Sequence, residues 1–257
     1  MVTLGGFNPS LAGSMRGSYA AASFGETEWM ISLLDGLAST RAIRRYRDEP
    51  IPEQDLATML WHATRAPSGS NRQPFRFVVL RDGERAVAAK ALLGTSFRAS
   101  WQTKLDHDGY AEGSGTDPTT PKGRMAATMQ HYVDHIEQVP VIVLACMLRH
   151  RDPNPYEGAS VYPACQNLLL AARALGYGGA LTMWHQMVEV ELRELLHIPD
   201  GVAMSACITL GRPVGSHGPV RRRPLGELVF EDSWDRHADW ATDPPGTQFT
   251  QAGPRRR

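Results

Sequence analysis

The sequence predicts an α+β domain, from two kinds of periodicity. Residues 75–80 (Phe-Arg-Phe-Val-Val-Leu), 140–147 and 202–210 are apolar runs of strand length bounded by turn-forming residues. Elsewhere apolar residues return at helical spacing: Leu56, Met59, Leu60 and Ala63, then Met125, Met129, Tyr132, Val133 and Ile136, then a stretch over 159–175 that is apolar on most faces. With 42% of 257 residues hydrophobic, there is ample material for one core.

In chain order, residues 1–25 are rich in Gly, Ser and Ala without sustained periodicity and read as a flexible N-terminal extension. Trp29, Met30, Leu33, Leu34 and Leu37 then mark a helix that ends near Ser39 and Thr40. Arg41, Arg44 and Arg45 follow at once. Guanidinium groups at such a junction can grip a phosphate through paired charge-assisted hydrogen bonds, although a charge run is also what a solvated face looks like. Pro52 suits the first turn of the next helix, which delivers residues 66–77. There Pro67 and Gly69 break the helix, and Ser68, Ser70, Asn71, Arg72 and Gln73 set out donors and acceptors before Pro74 and the first strand. On composition alone, such a turn can simply satisfy its own backbone.

Residues 83–93 read as an alanine-rich helix. Residues 96–123, polar but containing Trp101 and Tyr110, read as a long loop, either a lid or a surface insertion. His131 and His135 lie one helical turn apart, as metal ligands would, but no third ligand is nearby and no metal is expected. The 159–175 helix, closed by Gly176, is expected to be buried nearly all round. Residues 177–184 are glycine-rich, which lets backbone approach a flat ligand. A short helix at 188–196 leads to the 202–210 strand, and residues 241–257 read as a tail, leaving 26–240 as the folded domain.

Lysine plus arginine equals aspartate plus glutamate, 27 each, so no overall field draws the chain to nucleic acid or to an anionic membrane. Cys146, Cys165 and Cys207 sit in apolar stretches with no Cys-x-x-Cys pair, which reads as buried thiols of a reducing, cytoplasmic protein. The longest apolar run, 139–148, is too short to span a bilayer. Gly-x-Gly-x-x-Gly, phosphate-loop, Gly-x-Ser-x-Gly and His-Glu-x-x-His motifs are all missing, which argues against Rossmann, nucleotide-hydrolase, serine-hydrolase and zinc-protease chemistry.

Two blocks carry more than composition. Pro67-Ser68-Gly69-Ser70-Asn71-x-Gln73-Pro74-Phe75-x-Phe77, preceded by Arg41-x-x-Arg44-Arg45-Tyr46 and then Pro50-Ile51-Pro52, resembles the FMN-dependent nitroreductase family. Gln166-Asn167-Leu168-Leu169-Leu170-Ala171-Ala172-x-x-Leu175-Gly176 and Arg222-x-Pro224 add to the likeness. The resemblance implies a nitroreductase-like fold, with a central mixed, mostly antiparallel sheet flanked by helices, paired into a homodimer with flavin sites at its interface. It implies FMN as cofactor and NADH or NADPH as electron donor. Nitroaromatics, quinones or similar flat acceptors would be reduced in a ping-pong cycle in which no side chain need act as acid or base.

By position, the resemblance assigns the flavin phosphate and ribityl chain to Arg41, Ala42, Arg44, Arg45 and Arg222. It assigns the ring to Pro67, Ser68, Gly69, Asn71 and Gln73, with Leu181, Thr182 and Met183 passing over it. Ala42 stands where many relatives have serine, and Met183 where some have glutamate. These departures keep open a flavin-sequestering protein of little turnover; a flavin-dependent dehalogenase is the other alternative, and the missing acid at Met183 argues against it.

Overall fold

The computed structural model describes residues 31–250. The expected N-terminal extension, the helix-start residues Trp29 and Met30, and the end of the tail lie outside the described residues. Four strands, β1 (Phe75–Leu80), β2 (Val141–Leu148), β3 (Gly178–Thr182) and β4 (Val202–Gly211), form one sheet in the order β1-β2-β4-β3. All three pairings are antiparallel, so the sheet expected to be mixed but mostly antiparallel has no parallel pair among these strands.

The two central strands read as unbroken apolar runs because both faces of the sheet are covered. On β2, Val141, Val143, Ala145 and Met147 face one layer, made by helices α2 (Glu53–Ala63) and α5 (Tyr162–Ala174). Ile142, Leu144 and Cys146 face the other, made by α3 (Glu84–His107), α4 (Pro121–Asp134) and α6 (Glu189–Leu196). On β4 the alternation slips at Ser205. Ala145 pairs with Ala206 and Cys146 with Met204, which leaves Ser205 as the extra residue of a bulge. Ala203 and Ala206 therefore reach the same layer, with Met204 and Cys207 on the other.

Three elements differ from the sequence expectation. Residues 96–107 are not loop. They continue α3, burying Ser96, Phe97 and Trp101, and the Trp101 indole N–H donates to Gln130 Oε1 at 2.9 Å. The polar residues that suggested a loop lie on the solvent face, so only a short connection with a 3-10 turn at Gly113–Gly115 precedes α4. Helix α5 is not enclosed all round: Ala164, Cys165, Leu168 and Ala172 form one buried stripe, while Leu169 and Leu170 are half-buried. Helix α1 (Leu33–Ser39), which lies against α5, buries only Gly36 and leaves Leu33 70% and Leu34 77% exposed. Thus, among the described residues, α1 and the outer side of α5 present an apolar surface that nothing covers.

Two polar groups are built into the interior. Lys90, 5% exposed, donates to the carbonyls of Val139 (2.7 Å) and Pro140 (3.4 Å), satisfying them where the chain enters β2. The Thr209 hydroxyl on β4 lies 2.8 Å from the hydroxyls of both Tyr46 and Tyr132. Burial pushes both phenols above their usual range, the Thr209 bonds opposing it.

Candidate functional site

The turn before β1 is held in an unusual backbone shape. Ser70, Asn71 and Gln73 all adopt left-handed conformations, with φ of 52°, 51° and 49°. Non-glycine residues seldom take that region, and three in four positions persist only where the surroundings over-determine them. The surroundings are visible. Gln73 N–H donates to Ser68 Oγ (2.9 Å), Asn71 N–H to Ser68 O (2.9 Å), and Gly69 N–H to Ser160 Oγ just before α5 (3.3 Å). The Gln73 amide reaches Asn71 Oδ1 at 3.2 Å. Pro67, Gly69, Asn71 and Gln73 are exposed and Ser68 is half-buried, so the turn is braced from within and open outside.

The arginine segment is placed differently, by strand-like backbone bonds. Ile43 N–H donates to Gly179 O (2.9 Å), Arg47 N–H to Arg212 O (2.9 Å) and Val214 N–H to Arg45 O (3.0 Å). Its approach requires glycine: a Cβ on Gly178 would lie 2.5 Å from Ile43 Cγ1, and one on Gly211 would lie 2.8 Å from the Tyr46 ring. Arg222 joins this end because Val220 N–H donates to Ala38 O (3.0 Å), just upstream of Arg41.

Among the described residues, Arg41, Arg44, Arg45 and Arg222 make no ion pair. Neighbouring Arg212 pairs with Glu49 (3.2 Å), and Arg223 with Glu227 (2.5 Å). A group of guanidinium ions left without carboxylates is a donor set for an anion. Ala42, exposed beside them, supplies only its backbone.

Leu181 and Thr182 end β3, running from the arginine end toward the middle of the sheet, where Thr182 pairs with Cys207. Leu181 is 36% exposed, whereas half-buried Met183 packs on the α2/α5 core. Trp184 packs on the other core, where its carbonyl accepts from the Ser96 hydroxyl.

One chain does not bring all these residues together. Phe75, at the mouth of the turn, pairs with Met147, which pairs with Ala203, whereas Gly178, beside the arginine segment, pairs with Gly211 at the far end of β4. Strand geometry puts the two groups roughly 25 Å apart along the strands and about 14 Å apart across them. Helix α5 spans the distance. Ser160, before its start, holds the turn, and Gly176, past its end, lies by Arg212.

Sequence reading missed the groups that brace each end. Ser160 is one. Tyr177 is another: its hydroxyl donates to Asp55 Oδ2 (2.5 Å) and accepts from Arg212 Nη2 (3.2 Å), with the Arg212 guanidinium 4.5 Å above its ring. Burial first, and then Asp55, pushes the Tyr177 phenol up to about 12. The isolated serine and tyrosine carry no motif, so only their packing reveals them. His131 and His135 stack on one another at 4.1 Å between ring centroids.

Known proteins resemble this chain in sequence and in fold. A 5,6-dimethylbenzimidazole synthase from Rhodospirillum rubrum is 43% identical over 217 residues, covering 77% of this chain and 88% of that protein. An NADH dehydrogenase from Thermus thermophilus is 30% identical over 193 residues, covering 74% of this chain and 91% of the relative. A crystal structure of a putative nitroreductase in complex with FMN from Desulfovibrio desulfuricans superposes with a TM-score of 0.55 at 27% identity, covering 78% of this chain and 96% of that one. The model of the nitroreductase family matches residues 37–212, a span that runs from the arginine segment through the strained turn to the end of β4. This chain is a member of the nitroreductase family.

Proposed function

We propose that the protein is an FMN-dependent oxidoreductase that takes electrons from NADH or NADPH and delivers them to flat, electron-poor acceptors such as quinones and nitroaromatics. The observation that carries this reading is the division of the candidate site. Arginines without an ion pair among the described residues stand at one corner of the sheet and a braced, open turn at the other, too far apart for one flavin to touch both. A second copy resolves the separation. In a two-fold dimer the turn of one protomer meets the arginine end of the other, and the exposed leucines of α1 and the open side of α5 become the buried interface.

The donor set fits FMN. Arg41, Arg44, Arg45 and Arg222 would hold its phosphate and ribityl chain. Pro67, Ser68, Gly69, Asn71 and Gln73 of the partner-facing turn would border the ring, and Leu181, Thr182 and Met183 would supply a mainly apolar floor. When bound, the flavin supplies hydride acceptance and donation in alternate half-reactions. The chain's own residues orient it, exclude water and leave room for one flat substrate at a time. With no acid offered by Met183 or Trp184, the pocket favours apolar oxidants over zwitterionic ones such as halotyrosines.

A second reading is favoured by the 43% identical 5,6-dimethylbenzimidazole synthase. The isoalloxazine of FMN carries the same dimethylbenzene ring, so a flavin held here is also a candidate precursor of a benzimidazole. One experiment addresses both. The protein should purify yellow with about one FMN per chain and bleach anaerobically with NADH or NADPH. On admission of air, full return of the flavin spectrum supports the reductase, and its loss with a benzimidazole detected by mass spectrometry supports the synthase. A colourless protein that binds no added FMN overturns both, and a flavin-loaded monomer in light scattering overturns the shared site.

A further inference from the structure

Past the end of α5 lies a cleft of about 380 Å³ whose lining includes Arg47, Arg173, Arg212, Gly215, Ser216 and His217. Its charge is unbalanced. Glu49 is shared between Arg212 (3.2 Å) and Arg47 (3.7 Å), and Arg173 has no ion pair among the described residues. Arg173 Nε and His217 Nδ1 are buried without a hydrogen-bond partner. Buried polar atoms are rarely left so, and both belong to residues that line this one cationic cleft. The backbone adds donors: the N–H groups of Gly215, Ser216 and His217 meet no acceptor among the described residues. Gly215, at φ 107° with nothing within 4 Å of where a Cβ would stand, leaves that stretch open to an approaching group.

We infer that this cleft binds a phosphomonoester or free phosphate, with Arg173 as its principal cation and the Gly215–His217 backbone as its cradle. The pairing of donors and acceptors is specific. His217 Nε2 lies 3.1 Å from Tyr177 O and therefore carries the proton, which leaves Nδ1 as an acceptor in the neutral ring. Burial holds the imidazole below its ordinary value, the Tyr177 bond opposing, with Arg173 and then Arg41 adding to the depression. A phosphate supplies oxygens for the guanidinium groups and backbone amides that line the cleft. Arg41, Arg44 and Arg222 are not among its lining residues; Arg41 lies near enough to act on the His217 charge, so a variant lacking Arg41 and Arg222 distinguishes the cleft from the flavin contacts proposed above.

The test is calorimetric titration of the full-length protein with inorganic phosphate after saturation with FMN, repeated in the Arg41→Ala/Arg222→Ala variant. One phosphate per chain is expected in both. Arg173→Gln should weaken it at least tenfold, Arg173→Lys less, and both should leave flavin content unchanged. Absence of binding by the unaltered protein, or equal affinity in Arg173→Gln, overturns the assignment. NADP⁺ and NAD⁺ then separate the sources. Displacement of phosphate by NADP⁺ alone assigns the cleft to the 2′-phosphate of the electron donor, and displacement by neither assigns it to free phosphate.

Discussion

The turn at 67–73 and the arginine segment at 41–46 both read as binding elements, yet they are made by opposite means. The turn spends its polar groups on itself: Ser68, Asn71 and Gln73 are hydrogen-bonded to one another, and three left-handed residues are the cost. The arginine segment docks through backbone bonds to Gly179 and Arg212 and through the Tyr46 hydroxyl on Thr209, and leaves the guanidinium groups of Arg41, Arg44 and Arg45 without an ion pair among the described residues. One element is therefore shaped before any ligand arrives, and the other is charged before any ligand arrives. A ligand with a rigid polar ring and a phosphate end needs one of each.

The largest expected effect comes from the charged half. Arg41→Ala and Arg222→Ala should each weaken FMN binding by about 1.5–3 kcal/mol, the worth of a charge-assisted phosphate contact. Fluorescence titration measures it, and unchanged affinity in both variants would reduce these residues to a solvated face. Mixing sharpens the comparison. If the halves meet across a dimer, hybrids of an Arg41→Ala/Arg222→Ala chain with an Asn71→Val chain contain one intact site and one doubly damaged site. They should then recover about half the flavin that unaltered protein holds.

A smaller effect belongs to the shaped half. Asn71→Val puts a β-branched residue at φ 51° and should cost roughly 1–3 kcal/mol of stability, whereas Asn71→Gly should keep the turn and lose only the side-chain bond. Urea midpoints for the two variants decide it. Equal losses would mean the side chain, not the backbone shape, matters there.

The smallest effect near neutrality lies in the frame between the two. Burial pushes the Cys146 thiol from 9.0 up to about 11 and Cys165 up to about 12. The folded chain thus holds protons that the unfolded chain releases. This contribution is whole below pH 9 and declines as pH rises toward 11 and 12. Urea midpoints should therefore fall between pH 9 and 11, and replacing Cys146 and Cys165 with alanine should flatten that slope.

Much of the frame was legible in the sequence. Residues 75–80, 140–147 and 202–210 lie within one residue of β1, β2 and β4, because runs buried on both faces leave an unbroken apolar signature. Strand β3 was not legible as a strand. Its Gly178 and Gly179 are there because a Cβ on either would meet Ile43 or Thr209 O at 2.5 Å, and glycine hides strand propensity. The second half of α3 was lost for the reverse reason, since polar residues on its solvent face outnumber Phe97 and Trp101 within. As for the candidate site, the motifs pick out two groups of residues but not their separation. That follows from strand order, in which β1 and β3 stand at opposite edges, and no local pattern encodes it.

The carbonyl-bound Lys90 has a practical corollary. The chain contains just three lysines, Lys90, Lys104 and Lys122, against 24 arginines. With Lys90 sequestered, the lysine side chains left to amine-directed reagents are the two that bracket the stretch joining α3 to α4, Lys104 in the last turn of α3 and Lys122 in the first turn of α4. A dye or surface tether coupled through lysine thus reports on that one stretch, and acylation of Lys90 under the same conditions timestamps the loss of the native core.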